Sequence, residues 1–120
     1  MSRGMGRGPK GGVDHVQPPL AVLENMLAVR IHLDRANSSN GGLRVLPGTH
    51  RMGRLSGKRI DELASTLLPL PCDADRGEAL LMRPLLLHAS SRAVDPSARR
   101  VIHIEYANCE LDGGLDWLGR

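Results

Sequence analysis

Nine residues in the first third of the chain, Met26-Leu27-Ala28-Val29-Arg30-Ile31-His32-Leu33-Asp34, limit its folds more than any other stretch. Leu27, Val29, Ile31 and Leu33 take one side, while Ala28, Arg30, His32 and Asp34 take the other. A period of two is that of a β-strand, because a helix would scatter those four aliphatic side chains around its axis. The segment is therefore a strand with a polar face, and what packs around it must do so as a sheet.

The rest of the chain is cut into short pieces that suit a sheet. After Pro18-Pro19, residues 20–25 read as a turn or one helical turn, and Asn37-Ser38-Ser39-Asn40-Gly41-Gly42 is turn chemistry. Leu43 to Leu46 form a short strand halted by Pro47-Gly48. Ile60, Leu63 and Leu67 recur at helical spacing, which predicts one amphipathic helix over about residues 58–67, ended by Pro69 and Pro71. Asp73 to Gly77 is a further turn. A strand from Glu78 to Arg83 is interrupted by Pro84 and continues to His88. A loop through Asp95-Pro96-Ser97 leads to the last strand, Arg99 to Tyr106, and Leu111 to Trp117 turn the Trp back onto the sheet. The class is mainly β, sandwich or barrel-like, with one short helix. About five strands do not close an eight-stranded barrel. An open sheet leaves backbone groups unpaired, so either a partner covers the edge, a second copy of the chain being one such partner, or part of the fold is missing.

Composition narrows the function classes. Apolar residues are 41% and charged residues 24% of the 120, proportions of a folded chain that buries about two-thirds of its unfolded surface. No apolar run reaches the ~20 residues of a membrane span and no apolar leader follows Met1, so no membrane partner is expected. Cys72 and Cys109 are too few for a disulfide scaffold and fit a reducing compartment, hence a cytoplasmic chain. The net charge of +3 comes from Arg3, Arg7 and Lys10, and without them 13 positive charges face 13 negative ones. They lie in a glycine-rich stretch without periodicity, expected to be a disordered tail over residues 1–12 ahead of one domain over 13–120. Three charges are few for RNA, and one Tyr, one Trp and no Phe give no stacking platform. No specific nucleic-acid partner is expected.

Two stretches resemble one family. Asn40-Gly41-Gly42-Leu43-Arg44-Val45-Leu46-Pro47-Gly48-Thr49-His50-Arg51 is similar to the NGxLxVxPGSH loop of the phytanoyl-CoA dioxygenase family. Gly77 to Ser90, followed by Arg99 to Tyr106, is similar to that family's second half, and the resemblance runs in order over about residues 13–117. It implies a double-stranded β-helix (jelly-roll, cupin-like) fold, here incomplete. It also implies an Fe(II)- and 2-oxoglutarate-dependent oxygenase that hydroxylates a small-molecule substrate with O2. Two His and one carboxylate hold such an iron and leave positions open for co-substrate and O2. The far carboxylate of 2-oxoglutarate suits an always-charged, bidentate arginine.

By resemblance, His88 matches the second histidine ligand, and Ser90 matches a His-x-Ser beside the co-substrate. Arg99, eleven positions after His88, matches the 2-oxoglutarate arginine. Arg100 points to the other face of the strand, so only one of the two meets the pocket, and Arg99 is preferred. His32-Leu33-Asp34 spells the His-x-Asp of the first ligand pair. Yet Asp34 lies only six residues before Asn40, where the family has a structural Leu-Asp, so the match is read as a decoy. The family's pair belongs upstream of His15, and the chain is then expected to be a truncated member with one ligand of three. The rival from another class is a non-catalytic β-barrel remnant or binding module without iron. His50 is expected to hydrogen-bond its own loop, and the methionines to fill core.

Overall fold

The computed structural model describes residues 18–90, 98–111 and 117 in full, and residues 8–10 and 13–15 as backbone. Strands β1 (Gly8–Lys10) and β2 (Val13–His15) pair as a small antiparallel hairpin, and β1 falls in the stretch read as tail. Residues 1–7 and the loop around Asp95-Pro96-Ser97 lie outside the described residues. The body follows as α1 (Leu20–Glu24), β3 (Met26–His32), β4 (Leu43–Val45), α2 (Gly57–Thr66), β5 (Leu70–Cys72), β6 (Ala79–Met82), β7 (His88–Ser90) and β8 (Val101–Ala107). Two three-stranded antiparallel sheets result, in the orders β6-β3-β8 and β5-β4-β7. The chain crosses between them at β3–β4, β5–β6, β6–β7 and β7–β8.

Two of these crossings have a local cause. Asn37 caps a single 3-10 turn by accepting from the Ser39 and Asn40 backbone, and the buried Asn40 side chain returns a bond to the Asn37 N–H at 2.8 Å. Gly41 then takes φ +82°, a left-handed turn that suits glycine. Gly42 donates to the Asn37 carbonyl at 2.6 Å, and a Cβ there would lie 2.6 Å from that same oxygen. The Asn-Gly-Gly sequence thus turns the chain from the first sheet into the second. Pro84 is the other corner. The sequence suggests one strand resuming after it, but Leu85 to Leu87 leave the first sheet and His88 begins β7 in the second. Strand β5 was not expected, since its centre is Pro71; an edge strand tolerates a proline that an inner one would not.

The core lies between the sheets. Ala28 and Met82 of the first meet Leu43 and Val45 of the second. α2, capped by Ser56 Oγ accepting from the Arg59 N–H, sets Leu63 against Leu46 and Leu87. α1 sets Leu23 against Met26 and Leu85, and Trp117 packs on that cluster while its indole donates to the Cys109 carbonyl. Met26 and Met82 are core residues as expected, whereas Met52 is exposed.

β3 alternates as its sequence requires, but its polar face is the one turned inward. The register pairs Ala28 with Met82 and Glu105, Arg30 with Leu80 and His103, and His32 with Val101, all on the inner face. Leu27, Val29 and Ile31 lie outside with Leu81, Ile102 and Tyr106, the last three being 58%, 45% and 56% exposed. Among the described residues β6 and β8 edge one sheet and β5 and β7 the other, each with a single strand neighbour, so the barrel is open beside all four.

Candidate active site

His88 opens β7 directly across from Val45, a core residue, so its imidazole faces the interior with Ser90 two residues on. Nδ1 lies 2.8 Å from the Leu86 carbonyl. A carbonyl only accepts, so Nδ1 carries the proton and donates, and Nε2 is left with its lone pair. This is the tautomer and orientation a histidine ligand needs. The same peptide run is braced from below by Thr49, which is fully buried: its hydroxyl donates to the Leu46 carbonyl at 2.7 Å and accepts from the Leu87 N–H at 3.0 Å. That brace replaces the expected role of His50, whose ring makes no hydrogen bond among the described residues. The left-handed Gly48 turns Thr49, and not its neighbour, toward the interior.

The two arginines part company. Arg100 donates to both Asp34 oxygens, at 2.8 and 3.1 Å, and its backbone N–H donates to the same carboxylate at 2.8 Å. Those bonds hold the Asp34 carboxyl at about 2, below its ordinary 3.8. Arg100 is thereby turned out to solvent, with 71% of its side chain exposed. Arg99 is half-buried and its Nε donates to the Asn40 carbonyl at 3.1 Å, so the Asn-Gly turn also holds this guanidinium. Asp34 thus has both carboxylate oxygens engaged by Arg100. No three His, Cys, Asp or Glu side chains converge as a metal site among the described residues.

The inner face of β3 carries a polar group that the sequence offers only as half of a decoy ligand pair. His32 is 2% exposed, and neither ring nitrogen has a hydrogen-bond partner. Arg30 Nε is likewise buried and unpartnered. Desolvation first, then the positive charges of Arg30 and Arg99, push the His32 imidazole below its ordinary value, so it is neutral near pH 7. Burial and Arg99 also lower Arg30. Alternation alone puts Arg30 and His32 on one face, but no local signal says that this face is the inner one.

Comparison with known proteins decides the family. The family model for phytanoyl-CoA dioxygenase (PhyH) matches residues 12–101. The chain belongs to the phytanoyl-CoA dioxygenase family. Among solved structures it is similar to AviO1 from Streptomyces viridochromogenes Tue57, with 28% identity over 74% of this chain and a TM-score of 0.64. EvdMO1 matches with 27% identity over 70% of this chain and a TM-score of 0.64. EctD from S. alaskensis, crystallised with bound Fe, shares the fold at 24% identity over 72% of this chain with a TM-score of 0.63. The chain spans only 39%, 20% and 34% of those three chains, respectively. No curated protein matches the sequence. The open jelly roll expected from the sequence is thus the fold observed, and among the described residues no helix is long and apolar enough to cross a membrane.

Proposed function

We propose that this chain carries part of the active site of an Fe(II)- and 2-oxoglutarate-dependent oxygenase acting on a small molecule. The observation that carries the reading is His88: inward-facing, with Nδ1 committed to the Leu86 carbonyl and Nε2 left to bind a metal. Bound iron would supply the chemistry that converts 2-oxoglutarate and O2 to succinate and CO2 while the substrate is hydroxylated. His88 would hold one coordination position of that iron, and Thr49 keeps its strand in place. Arg99, fixed by the Asn40 carbonyl, offers its remaining N–H groups to the distal carboxylate of 2-oxoglutarate, and Ser90 sits on the same face as His88. A single imidazole does not hold Fe(II) against water, so the described residues fit one ligand of a two-His, one-carboxylate set. In this proposal the other two come from polypeptide that pairs beside the open sheet edges, residues 13–120 being the partial domain, to which β1 of the preceding stretch is joined by its pairing with β2. Without that polypeptide the same edges are where the chain would self-associate.

The second reading is a non-catalytic β-barrel remnant or binding module without iron, which needs no converging ligand set. Anaerobic 2-oxoglutarate titration with and without Fe(II), with a succinate assay, separates them. The oxygenase reading expects saturable 2-oxoglutarate binding that Arg99→Gln abolishes and Arg100→Gln leaves nearly intact, with little succinate from the isolated chain. A folded wild-type chain that binds neither iron nor 2-oxoglutarate would establish the remnant.

A further inference from the structure

An edge strand presents a row of unpaired N–H and C=O groups, and folds blunt such edges with proline, lysine or brevity. Among the described residues, three of the four open edges are blunted in this way. β5 has Pro71 at its centre, β7 is three residues long, and β6 runs for four and meets Pro84 two residues later. The fourth, β8, runs for seven residues, Val101-Ile102-His103-Ile104-Glu105-Tyr106-Ala107, without proline, glycine or lysine. Its phase follows from one bond: just beyond the paired residues, the Leu33 N–H donates to the Arg100 carbonyl at 3.0 Å. Because antiparallel pairs alternate, Ile102, Ile104 and Tyr106 spend their backbone groups on β3 in the same way. Val101, His103, Glu105 and Ala107 therefore turn theirs to the open edge, while the side chains of Ile102 and Tyr106 stand exposed on the outer face.

We propose that β8 pairs antiparallel with the β8 of a second copy of this chain, about a two-fold axis at Ile104. Edge-facing backbone must meet edge-facing backbone, so the odd-numbered residues of one strand face those of the other. Of the registers this allows, only the one centred on Ile104 uses all seven residues. It sets His103 opposite Glu105 of the second copy on the inner face, twice over, so each imidazole has a carboxylate across the seam. Centring on Glu105 would set two carboxylates face to face. Centring on His103 would face two imidazoles and leave Tyr106 and Ala107 unpaired. In the Ile104 register Ile102 lies across from Tyr106, a β-branched and aromatic pair of the kind that stabilises sheets. The outer row of Leu81, Val29 and Ile104 then runs through the axis into the same three residues of the second copy, within one six-stranded sheet. Because the same patch is used on both subunits, pairing at β8 stops at two. A seam one strand wide makes the dimer concentration-dependent, not obligate. This goes beyond the oxygenase reading, in which other polypeptide takes the open edges; on the isolated chain a second copy takes β8.

Sedimentation velocity over a concentration series should show the wild-type chain passing from monomer to dimer. His103→Glu sets carboxylates against Glu105 at both places in the seam and should weaken the dimer about tenfold. Adding Glu105→Lys to that variant puts opposite charges across the seam again and should recover most of the loss. The register is read by cross-linking in a chain whose Cys72 and Cys109 are changed to Ala. There Ile104→Cys should give a disulfide-linked dimer on mild oxidation, because the two residues at the axis have Cα atoms about 4.5 Å apart, within disulfide reach. Ile102→Cys should not, since its two copies lie four residues apart along the seam, about 14 Å. Circular dichroism checks that every variant is folded. A folded wild-type chain that stays monomeric wherever it is soluble would overturn the proposal. So would a dimer that His103→Glu leaves unchanged, or one that Ile102→Cys links as readily as Ile104→Cys. None of these readouts involves iron or 2-oxoglutarate, so their failure leaves the oxygenase reading standing, and a chain that binds no 2-oxoglutarate leaves the seam standing.

Discussion

Thr49→Val removes one oxygen and keeps the shape of the side chain, so its cost can be worked bond by bond. Thr49 is fully buried, and its hydroxyl joins the end of β4 to the approach to β7. Without it the Leu87 N–H has no acceptor and no water, a penalty of about 1–3 kcal/mol. The Leu46 carbonyl loses its 2.7 Å donor but keeps the longer bond from the Thr49 N–H at 3.4 Å, a further loss of about 0.5–1 kcal/mol. The new methyl returns up to about 0.8 kcal/mol of burial. The net is about 2 kcal/mol, or about 8 °C in Tm at ~4 °C per kcal/mol for a domain of this size. Thr49→Ser keeps the hydroxyl and loses one methyl, a cost of about 1 kcal/mol. Urea denaturation followed by circular dichroism measures all three proteins. A Thr49→Val chain within 0.5 kcal/mol of wild type, on the scale of surface substitutions, or a Thr49→Ser chain just as damaged as Thr49→Val, would refute the brace.

Three further outcomes follow from the same contacts. Asp34 is depressed to about 2 from 3.8, so its stabilising effect is complete above pH 3.8 and is lost as pH falls through 2; the gap in urea midpoint between wild type and Asp34→Asn should be constant above that window and close below it. The lowered His32 is neutral in the fold and titrates at 6.5 when unfolded, so wild-type stability should hold above pH 6.5 and decline below it, whereas His32→Leu should show a flatter pH profile. Gly42→Ala drives a Cβ to 2.6 Å from the Asn37 carbonyl oxygen and 2.8 Å from its carbon; it should cost about 1–3 kcal/mol and, by moving the Asn40 carbonyl off Arg99, weaken 2-oxoglutarate binding, both read in one set of titrations.

What the sequence discloses is what is local. The alternation of β3, the periodicity of α2 and the Asn-Gly-Gly turn depend on residues within a few positions of one another, and each is found where expected. Pairing between distant segments is not written locally. Pro71 and its neighbours look like the end of a helix until β4 is there to pair with them, and Leu85 to Leu87 look like a resumed strand until Pro84 is seen to turn them into the other sheet. The inward face of β3 is the plainest case. The ordinary expectation that aliphatic side chains point to the core would turn the strand over, yet small Ala28 packs inside while Leu27, Val29 and Ile31 face out. Only the register against β6 and β8 shows that Arg30 and His32 line the interior. His88, Ser90 and Arg99 were named from their resemblance to a family, but the Nδ1 bond that orients His88 and the Asn40 carbonyl that holds Arg99 are tertiary facts.

The most direct test of the proposed site is where a divalent metal goes. Mn(II), a paramagnetic stand-in for Fe(II) with similar oxygen and nitrogen preferences, can be added with 2-oxoglutarate to the labelled chain and the NMR broadening mapped even if binding is weak. The broadening should centre on the His88 ring and the inner face of β7, persist in Asp34→Ala, and disappear in His88→Gln while that variant remains folded. Broadening centred on His32 and Asp34, abolished by Asp34→Ala and indifferent to His88→Gln, would contradict the assignment and make His32-Leu33-Asp34 the working ligand pair.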